Sequence, residues 1–409
     1  HPEPAHPLNR RRHFLAAIAL LFLLAIAPAA PAAHSQSNTS SPAYWQYAAS
    51  GRLDSVTLSD IDRDGVDEIL VLDENGRLTL LTAGGEQLWT YVIDKPVGAV
   101  VALAVDGPTA PRAVAVAAGD HVDLVSSSGA LRWRVTLPGP STPVAAAAYD
   151  HESDGDEDLL VVLASGEMMV YDGEGQLLWG LPGQDNDTAN VSPKLLVDDF
   201  DRDGDQEIVL GLFTPRRFSQ LVYIDDGAVR WRQAISRRIS ALAAAPFDAG
   251  AIGIAVGTNF GQIDLYTPGG ERLWFRTLNV PVTALSFAQP PGRPMLVAGT
   301  AAGSIVAFSS HGRRIWSNNL ARDGDREVLE VLPVDARAAT PQPALGVILE
   351  SASESTDLAD ILLLGNNGQM LAKLNDTDLP ALTRLVDVNK DGNHELLLAR
   401  FALLQLIGL

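Results

Sequence analysis

The sequence has no cysteine among its 409 residues, which excludes disulfide bonds, thiolate metal sites and a cysteine nucleophile within it. Aromatic residues are scarce at 6%, whereas 35 glycines and 25 prolines supply many turns, which favours short β-strands over long helices. Basic residues are also in deficit, because 30 lysines and arginines face 50 acidic residues and leave a net charge of −20. A chain without a general basic surface does not suit nucleic-acid phosphates, so we expect no nucleic-acid partner.

A strongly hydrophobic stretch lies near the N-terminus. Three arginines at positions 10–12 precede an apolar run over residues 14–27, and small residues follow as far as Ala33. This order is typical of a signal peptide, with cleavage expected after Ala32 or Ala33. An uncleaved signal-anchor helix, with a membrane tether through residues 14–33, is the alternative. Both interpretations predict an exported protein that is extracellular, periplasmic or on the outer face of the cell membrane.

The pattern Gly-x-x-x-Trp recurs along the chain and defines its period. Six copies begin at Gly85, Gly129, Gly175, Gly227, Gly270 and Gly312, and a seventh at Gly368 has alanine in place of tryptophan. Successive glycines lie 42 to 56 residues apart, a length typical of one four-stranded blade of a β-propeller. We expect the tryptophans to pack between neighbouring blades.

Short apolar or alternating runs, bounded by turn residues, mark the strands of each repeat. In the second repeat the predicted strands are 97–105, 112–118, 121–126 and 131–137. Eight first strands are predicted to begin near Asp54, Val97, Val144, Lys194, Ser240, Val282, Glu327 and Leu382.

The eighth repeat is too short for four strands, and the N-terminal segment supplies the missing one. Residues 45–47 (Trp-Gln-Tyr) mirror residues 89–91 (Trp-Thr-Tyr) at the end of the first repeat. The sequence therefore predicts an all-β fold, an eight-bladed β-propeller over residues 44–409 closed by an N-terminal strand. A hydrophobic signal or anchor helix at 1–33 and a linker at 34–43 are predicted to precede it.

Four of the eight first strands are followed by a nine-residue acidic loop, with oxygen-bearing side chains at positions one, three, five and nine and glycine at position six. Those side chains are Asp60, Asp62, Asp64 and Glu68; Asp150, Glu152, Asp154 and Asp158; Asp199, Asp201, Asp203 and Glu207; and Asp387, Asn389, Asp391 and Glu395. Alternate oxygens converge on one hard cation when the backbone curls, and glycine supplies the positive φ that curling requires. Each loop leads into a strand rather than a helix, so these are not EF-hands. We predict Ca²⁺ at all four loops, on one face of the propeller, with ordinary Asx turns as the alternative.

The acidic loops resemble those of FG-GAP or VCBS repeat propellers, such as the heads of integrin α-subunits, where a nine-residue calcium loop joins the first and second strands of a blade. Because the four loops are expected on one face, calcium would stiffen that face, so we expect a structural role for it, with calcium-bridged partner binding as the alternative. The Gly-x-x-x-Trp pattern is similar to the tryptophan-docking repeats of pyrroloquinoline-quinone propellers, and residues 172–179 are the nearest copy. Most copies depart from that pattern by lacking its docking aspartate.

No nucleophile with its base, zinc cluster or phosphate loop has a recognisable spacing, so we predict no enzyme. The histidines near turns are expected to be exposed; they are His121, His151, His311 and His394. The basic residues of the fourth repeat are interpreted as solvated positions on different faces, with an anionic partner or lipid headgroups as the alternative. They are Arg216, Arg217, Arg230, Arg232, Arg237 and Arg238.

These observations predict an exported calcium-binding propeller that acts as a scaffold for a protein or surface glycan, for example as a subunit of a cell-envelope complex. A quinoprotein dehydrogenase, suggested by the blade count and the tryptophan repeats, is the first alternative. A polysaccharide lyase or hydrolase is the second.

Overall fold

The computed structural model divides the chain into two units, Ser41–Leu409 and His1–Ser40. The described residues all lie in the first unit: 45–139, 141–150, 152–183, 193–213, 218–248, 250–289, 294–321, 326–333, 345–351, 359–375, 382–386, 395–400 and 402–408. The predicted signal or anchor helix lies outside them. All regular elements in these ranges are β-strands. Within the same ranges there is no helix with the length and apolar character needed to cross a membrane.

The strands pair into eight antiparallel four-stranded sheets, which are the blades. Blades 1 to 7 each use four consecutive strands, termed A to D, and strands are numbered in chain order. Blade 1 contains β2 (Leu53–Ser59), β3 (Glu68–Asp73), β4 (Arg77–Leu81) and β5 (Gln87–Val92). Blade 2 contains β6 (Val97–Leu103), β7 (Ala113–Ala118), β8 (His121–Val125) and β9 (Leu131–Thr136). Blade 3 contains β10 (Pro143–Tyr149), β11 (Asp158–Leu163), β12 (Met168–Tyr171) and β13 (Leu177–Leu181). Blade 4 contains β14 (Lys194–Asp198), β15 (Glu207–Leu212), β16 (Ser219–Asp225) and β17 (Ala228–Ile235).

The later blades repeat the same order. Blade 5 contains β18 (Ile239–Asp248), β19 (Ala251–Thr258), β20 (Gln262–Tyr266) and β21 (Arg272–Thr277). Blade 6 contains β22 (Val282–Ala288), β23 (Met295–Thr300), β24 (Ser304–Phe308) and β25 (Arg314–Asn319). Blade 7 contains β26 (Arg326–Pro333), β27 (Leu345–Ser351), β28 (Ala359–Leu364) and β29 (Met370–Asn375). The eighth contains β30 (Leu382–Val386), β31 (Glu395–Arg400), β32 (Leu403–Gly408) and the N-terminal β1 (Trp45–Ala48).

Blade 8 joins the two ends of the propeller. Its outermost strand is β1, which pairs antiparallel with β32 so that Trp45 lies opposite Leu406 and Ala48 opposite Leu403. The all-β fold, the eight blades and their closure by the N-terminal strand are therefore confirmed. Because this blade combines strands from both ends of the propeller sequence, the ring is closed and its last blade is a complete four-stranded sheet.

The A strands line the centre, where neighbouring blades approach most closely. Six of them carry a β-bulge. It lies near the first residue of the strand in five blades and between the third and fifth residues of β26 in blade 7. At two bulges a hydroxyl crosses to the next blade: Ser240 Oγ donates to the Val282 carbonyl at 2.6 Å, and Thr283 Oγ1 donates to the Val328 carbonyl. These hydroxyls satisfy carbonyls next to the disrupted ladder, which explains why polar residues occupy this apolar centre.

The seven tryptophans pack between neighbouring blades, as predicted, at every boundary except that between blades 7 and 8, where blade 7 has Ala372 instead. Six of the seven indole Nε1 atoms donate to a carbonyl in the C–D turn of the following blade; the acceptors are Ala83, Ser127, Gly173, Pro268, Ser310 and Asn366. The glycine of the next Gly-x-x-x-Trp copy lies beneath the ring. A Cβ atom on Gly129, for example, would lie 2.8 Å from Trp89 Cγ. The repeated sequence pattern is therefore an interface between blades.

The antiparallel order divides the turns between two faces. All A–B and C–D turns open on one face, which we call the acidic-loop face. The B–C turns and the connections from strand D to the next strand A lie on the other. Because the predicted calcium loops of blades 1, 3 and 4 are A–B turns, the fold places these three on the same face.

Candidate metal centres

Blade 4 brings all four of its predicted ligands together. Asp199, Asp201, Asp203 and Glu207 each place one carboxylate oxygen within 4.8 Å of those of the other three. They lie on the turn between β14 and β15, with Glu207 at the first position of β15. Four carboxylates at this separation repel one another unless a cation or protons neutralise them.

Glu207 is the fixed and buried member of that group, with no exposed surface. Its Oε2 atom accepts hydrogen bonds from the Phe200 amide at 2.7 Å, the Asp201 amide at 3.3 Å and the Tyr223 hydroxyl at 3.1 Å. Its Oε1 atom is buried and has no hydrogen-bond partner among the described residues. Burial, together with the nearby charge of Asp201, raises the pKa of Glu207 to about 7. One oxygen is thus held by the protein while the other is left for a ligand.

The backbone of the blade 4 loop curls through hydrogen bonds to its own carboxylates. The Asp203 amide donates to Asp201 Oδ1 at 3.2 Å, and the Asp205 amide donates to Asp203 Oδ1 at 3.0 Å. Gly204 has φ = 111° and Arg202 has φ = 68°. A Cβ atom on Gly204 would meet nothing within 4 Å, so backbone conformation rather than space requires glycine at position six.

Blade 1 repeats this arrangement with three of its four predicted ligands. Asp60, Asp62 and Glu68 bring carboxylate oxygens within 4.8 Å of one another, whereas Asp64 is not part of the group. Glu68 is buried and accepts the Ile61 amide at 2.8 Å, as Glu207 accepts the Phe200 amide. Asp60 Oδ1 is buried without a hydrogen-bond partner in the described part of the chain. Burial raises the pKa of Glu68 above its ordinary value, and the charge of Asp62 raises it further.

Blade 3 has the same backbone but a looser set of ligands. Gly155 has φ = 87°, and its amide donates to Asp150 Oδ2 at 3.1 Å, as the Gly65 amide donates to Asp60. In the searched part of the chain, Asp150, Glu152, Asp154 and Asp158 form no group of three within 4.8 Å. Position nine carries Asp158, whose side chain is one methylene shorter than those of Glu68 and Glu207. Asp150 Oδ1 nevertheless remains buried without a described hydrogen-bond partner.

The fourth predicted loop, with Asp387, Asn389 and Asp391, lies outside the described residues. Glu395 is the first residue of β31, the position that Glu207 occupies in β15.

Consecutive A–B turns are bonded to one another across the blade boundaries. Between blades 3 and 4, the Asp150 amide donates to Gln206 Oε1 at 2.8 Å and the Gln206 amide donates to the Asp150 carbonyl at 3.3 Å. Ser153 Oγ also donates to Asp205 Oδ1 at 2.8 Å. The acidic loops of blades 3 and 4 are therefore part of the boundary between these two blades.

The same connection runs through blade 2, which has no acidic loop. The Arg112 amide donates to the Ile61 carbonyl of the blade 1 loop at 2.7 Å. The Arg112 guanidinium also forms an ion pair of 2.9 Å with Glu157, beside the blade 3 loop. Arg112 thus links the acidic loops of blades 1 and 3 across the blade that separates them.

A second cluster of polar side chains, which the sequence did not predict, surrounds His121. The expectation that His121 is exposed is wrong. This residue is buried, with Nδ1 3.1 Å from Asp120 Oδ1 and Nε2 3.7 Å from Asp123 Oδ2. Asp123 is itself buried and accepts Arg134 Nε at 2.6 Å and the Tyr91 hydroxyl of blade 1 at 2.7 Å. Burial would raise the pKa of Asp123, but Arg134 and Tyr91 outweigh it and lower that pKa. Alternation along β8 places His121 and Asp123 on the side opposite Val122 and Leu124, which favours exposure of the polar residues, yet all five residues of the strand are buried.

The donor set at the acidic loops fits a hard divalent cation. Every converging atom is a carboxylate oxygen, which calcium prefers, and among the described residues the buried oxygens without hydrogen-bond partners are positions at which a cation could be bound. Soft transition metals prefer nitrogen and sulfur ligands, which these groups do not contain.

Two family models match parts of the chain. A model of the β-propeller domain of lambda-carrageenase matches residues 37–121, and a model of the outer membrane protein assembly factor BamB matches residues 210–364. No curated protein matches the chain.

Solved structures with similar folds are β-propellers of low sequence identity. BamB from Moraxella catarrhalis is 14% identical with a TM-score of 0.59, and the match covers 89% of this chain and 98% of that one. The computationally designed protein Ika8 is 16% identical with a TM-score of 0.61, over 88% and 98%. BBS1N, solved in complex with ARL6DN, is 15% identical with a TM-score of 0.52, over 80% and 97%. Identities this low show the fold alone.

Proposed function

We propose that this protein is an exported calcium-binding β-propeller that serves as an interaction scaffold and not as an enzyme. The observation that carries the calcium assignment is the blade 4 group. There, three aspartates converge on Glu207, a fully buried carboxylate with one oxygen held by the protein and the other without a partner in the described residues. A buried carboxylate among other carboxylates is costly unless a cation neutralises it.

The calcium loops are proposed to be of the FG-GAP or VCBS kind. The blade 1, 3 and 4 loops share a glycine with positive φ at position six and a non-glycine residue with positive φ at position four. The position-four residues are Arg63, Ser153 and Arg202. Three loops with one unusual backbone conformation support a common ligand better than three independent Asx turns do.

The proposed role of calcium is structural. The acidic loops bond to the A–B turns of neighbouring blades, so a cation that orders a loop also orders a boundary between blades. A ligand that binds only the folded state stabilises it in proportion to its concentration and affinity. We therefore expect calcium to raise the melting temperature of the whole propeller.

The fold and the similarities support the proposed scaffold role. The chain is similar to BamB over residues 210–364, a protein named for assembly of the outer membrane, and BBS1N was solved with a protein partner. With the predicted signal or anchor at 1–33, this supports a place in the cell envelope and a protein partner. A surface glycan is the other partner class proposed.

The decisive experiment counts bound metal by mass spectrometry and measures thermal unfolding of the purified protein with calcium and with a chelator. We expect bound calcium and a melting temperature several degrees higher with calcium. Glu207→Gln should remove about one calcium equivalent, whereas Glu174→Gln, an exposed glutamate on a C–D turn, should remove none. Wild-type protein without bound calcium and without a thermal shift would refute the calcium assignment.

A polysaccharide-active enzyme is a second candidate, because residues 37–121 match the propeller domain of lambda-carrageenase. Incubation with lambda-carrageenan and measurement of new reducing ends tests it directly. Sustained release of reducing ends that is lost on heat denaturation would replace the scaffold proposal with an enzymatic one. The quinoprotein alternative is tested on the same sample by its visible absorption spectrum.

A further inference from the structure

The face opposite the acidic loops carries a cluster of cations and phenylalanines between blades 4 and 5. We call it the Arg–Phe surface; it comprises Lys194, Phe213, Phe218, Arg237, Arg238 and Phe260. Phe213 and Phe218 flank the B–C connection of blade 4, Arg237 and Arg238 precede strand A of blade 5, and Phe260 lies in its B–C turn. All these segments lie on the face away from the A–B turns.

Direct contacts hold this surface together. The guanidinium carbon of Arg237 lies 4.0 Å from the centre of the Phe260 ring, and that of Arg238 lies 5.5 Å from the Phe213 ring. The Asn259 amide, beside Phe260, donates to the Arg238 carbonyl at 3.0 Å. A guanidinium stacked on an aromatic ring keeps its N–H edges available for a planar anion.

The described part of the chain supplies no anionic partner for the cations of this surface. Among the described residues, no carboxylate lies within ion-pair distance of Lys194, Arg237 or Arg238, although Arg132, Arg134, Arg230 and Arg272 all pair with aspartates. Burial lowers the pKa of the partly buried Lys194, and the charge of Arg238 lowers it further. In a protein of net charge −20, an uncompensated group of cations favours an anion from outside the chain.

The aromatic members are exposed beside these cations. Phe218 is 65% exposed and Phe260 is 56% exposed. The Ser219 hydroxyl, next to Phe218, accepts the Ile239 amide at 3.2 Å, which places Phe218 near the Arg237–Arg238 turn. Exposed aromatic rings mixed with arginine are enriched at protein–protein interfaces.

We propose that the Arg–Phe surface binds an acidic peptide segment of a protein partner, with its carboxylates on Arg237, Arg238 and Lys194 and an apolar side chain against Phe218. This rests on the interaction role proposed above and specifies the binding surface and the chemistry of the partner. Carboxylates match the guanidinium fork, and aromatic rings supply apolar contact area.

A discrete peptide fits better than an anionic membrane. Lys194 is partly buried at the first residue of an inner strand, where a side chain can reach it and a flat bilayer cannot. The net charge of −20 also opposes approach of the whole protein to an anionic bilayer. The basic residues of the fourth repeat do not form a single surface. Arg230 lies at the other end of strand D and pairs with Asp225 and Asp226, whereas Arg216 and Arg217 lie outside the described residues.

The test measures binding of a fluorescent peptide of alternating glutamate and leucine, with a glutamine-for-glutamate peptide as the uncharged probe. We expect binding of the acidic peptide that weakens with salt, and little binding of the uncharged one. The double variant Arg237→Glu/Arg238→Glu should weaken binding about tenfold or more, the equivalent of at least about 1.4 kcal/mol. Arg313→Glu changes an exposed arginine in a C–D turn on the acidic-loop face and should leave binding unchanged.

Several outcomes would overturn the proposal: no binding of the acidic peptide to wild type, equal binding by the double variant, or sedimentation with phosphatidylserine–phosphatidylcholine vesicles instead of peptide binding. If the double variant melts below wild type, the neutral pair Arg237→Gln/Arg238→Gln takes its place. Metal content is measured on the same samples. If the double variant loses peptide binding but keeps its calcium, the loss is specific to the Arg–Phe surface. If wild-type protein contains no calcium, only the metal assignment is refuted.

Discussion

Trp133 and Trp179 occupy equivalent positions in blades 2 and 3, yet only Trp133 has an acceptor for its indole N–H. Trp133 Nε1 donates to the Gly173 carbonyl at 2.8 Å, whereas Trp179 Nε1 is buried with no partner among the described residues. The cause lies in blade 4, onto which Trp179 docks. In blade 4, Tyr223 of strand C lies opposite Trp231 of strand D, eight residues later in the sequence. The corresponding strand partners in blade 3, Val170 and Trp179, are nine residues apart.

The shorter connection is a two-residue hairpin. Asp226 and Gly227 have φ of 49° and 66°, and they join Asp225 to its ladder partner Ala228. Two consecutive positive φ angles are typical of a type I′ turn, in which the flanking residues bond to each other. The blade 4 turn is one residue shorter than the blade 3 turn, in which the Gly173 carbonyl accepts the indole N–H of Trp133.

This contrast predicts different costs for the same substitution. Trp133→Phe loses a hydrogen bond and leaves the Gly173 carbonyl without it, whereas Trp179→Phe removes a donor that has no described acceptor. We expect Trp133→Phe to reduce the free energy of unfolding by about 1 kcal/mol more than Trp179→Phe does. Urea denaturation of the two variants measures the difference. Equal losses would mean that the indole N–H contributes nothing to docking.

The buried carboxylate Glu207 predicts how the metal-free protein responds to pH. Its folded-state pKa of about 7 lies above the ordinary value of 4.5, so between these values the folded chain keeps a proton that the unfolded chain has released. The free energy of unfolding should therefore fall as the pH rises through that window. We expect the chelated protein to melt at a lower temperature near neutral pH than at about pH 5.

Calcium should reduce or reverse this dependence, because it neutralises the ionised carboxylates. Glu207→Gln should flatten the pH dependence of the chelated protein. A chelated wild type whose melting temperature rises with pH from about 5 to about 7 would contradict the burial argument.

Tyr91 predicts a measurable bond between blades 1 and 2. Its hydroxyl donates to the buried carboxylate of Asp123 at 2.7 Å, while Tyr47, its counterpart in blade 8, donates to the neutral hydroxyl of Thr79 at 3.3 Å. Hydrogen bonds to charged acceptors contribute about twice as much as those to neutral ones. Tyr91→Phe should thus cost about 1.5–3 kcal/mol and Tyr47→Phe about 1 kcal/mol or less, measured by urea denaturation. The reverse order would refute this assignment.

Gly129 predicts how tightly the blades fit. Both Gly129 and Gly107 have positive φ, 84° and 96°, but a Cβ atom would lie 2.8 Å from Trp89 Cγ at Gly129 and would meet nothing within 4 Å at Gly107. Gly107→Ala should cost only the backbone strain of about 1–2 kcal/mol. Gly129→Ala should cost about 1–3 kcal/mol more, because Trp89 must move. Comparable midpoints in urea would show that the boundary accommodates a methyl group.

Much of this fold could be predicted because its signals are local and repeated. The predicted strands 97–105 and 121–126 are observed as Val97–Leu103 and His121–Val125. Alternation and turn residues locate such strands wherever the rest of the chain lies. The count of first strands predicted the number of blades, and the tryptophan pattern predicted the interface between them.

The remaining features depend on contacts between residues far apart in sequence. Spacing placed Asp60 and Glu68 in one loop, but whether the shorter Asp158 reaches its group depends on side-chain length within the folded turn. The burial of His121 depends on Asp123, Tyr91 and Arg134, which come from three strands of two blades. The Arg112 link between two acidic loops has no local sequence signal.

The way blade 8 is assembled constrains how the chain acquires its fold during synthesis. Strand β1 is made first, yet its sheet partner β32 begins at Leu403, so about 350 residues separate the two. Long-range pairing of this kind is slow, because the chain between the partners must be ordered first. Trp45 and Tyr47, however, contact Ala83 and Thr79 of blade 1. Once blade 1 has formed, this side-chain docking can therefore hold β1 in place until its partner strand β32 has been made.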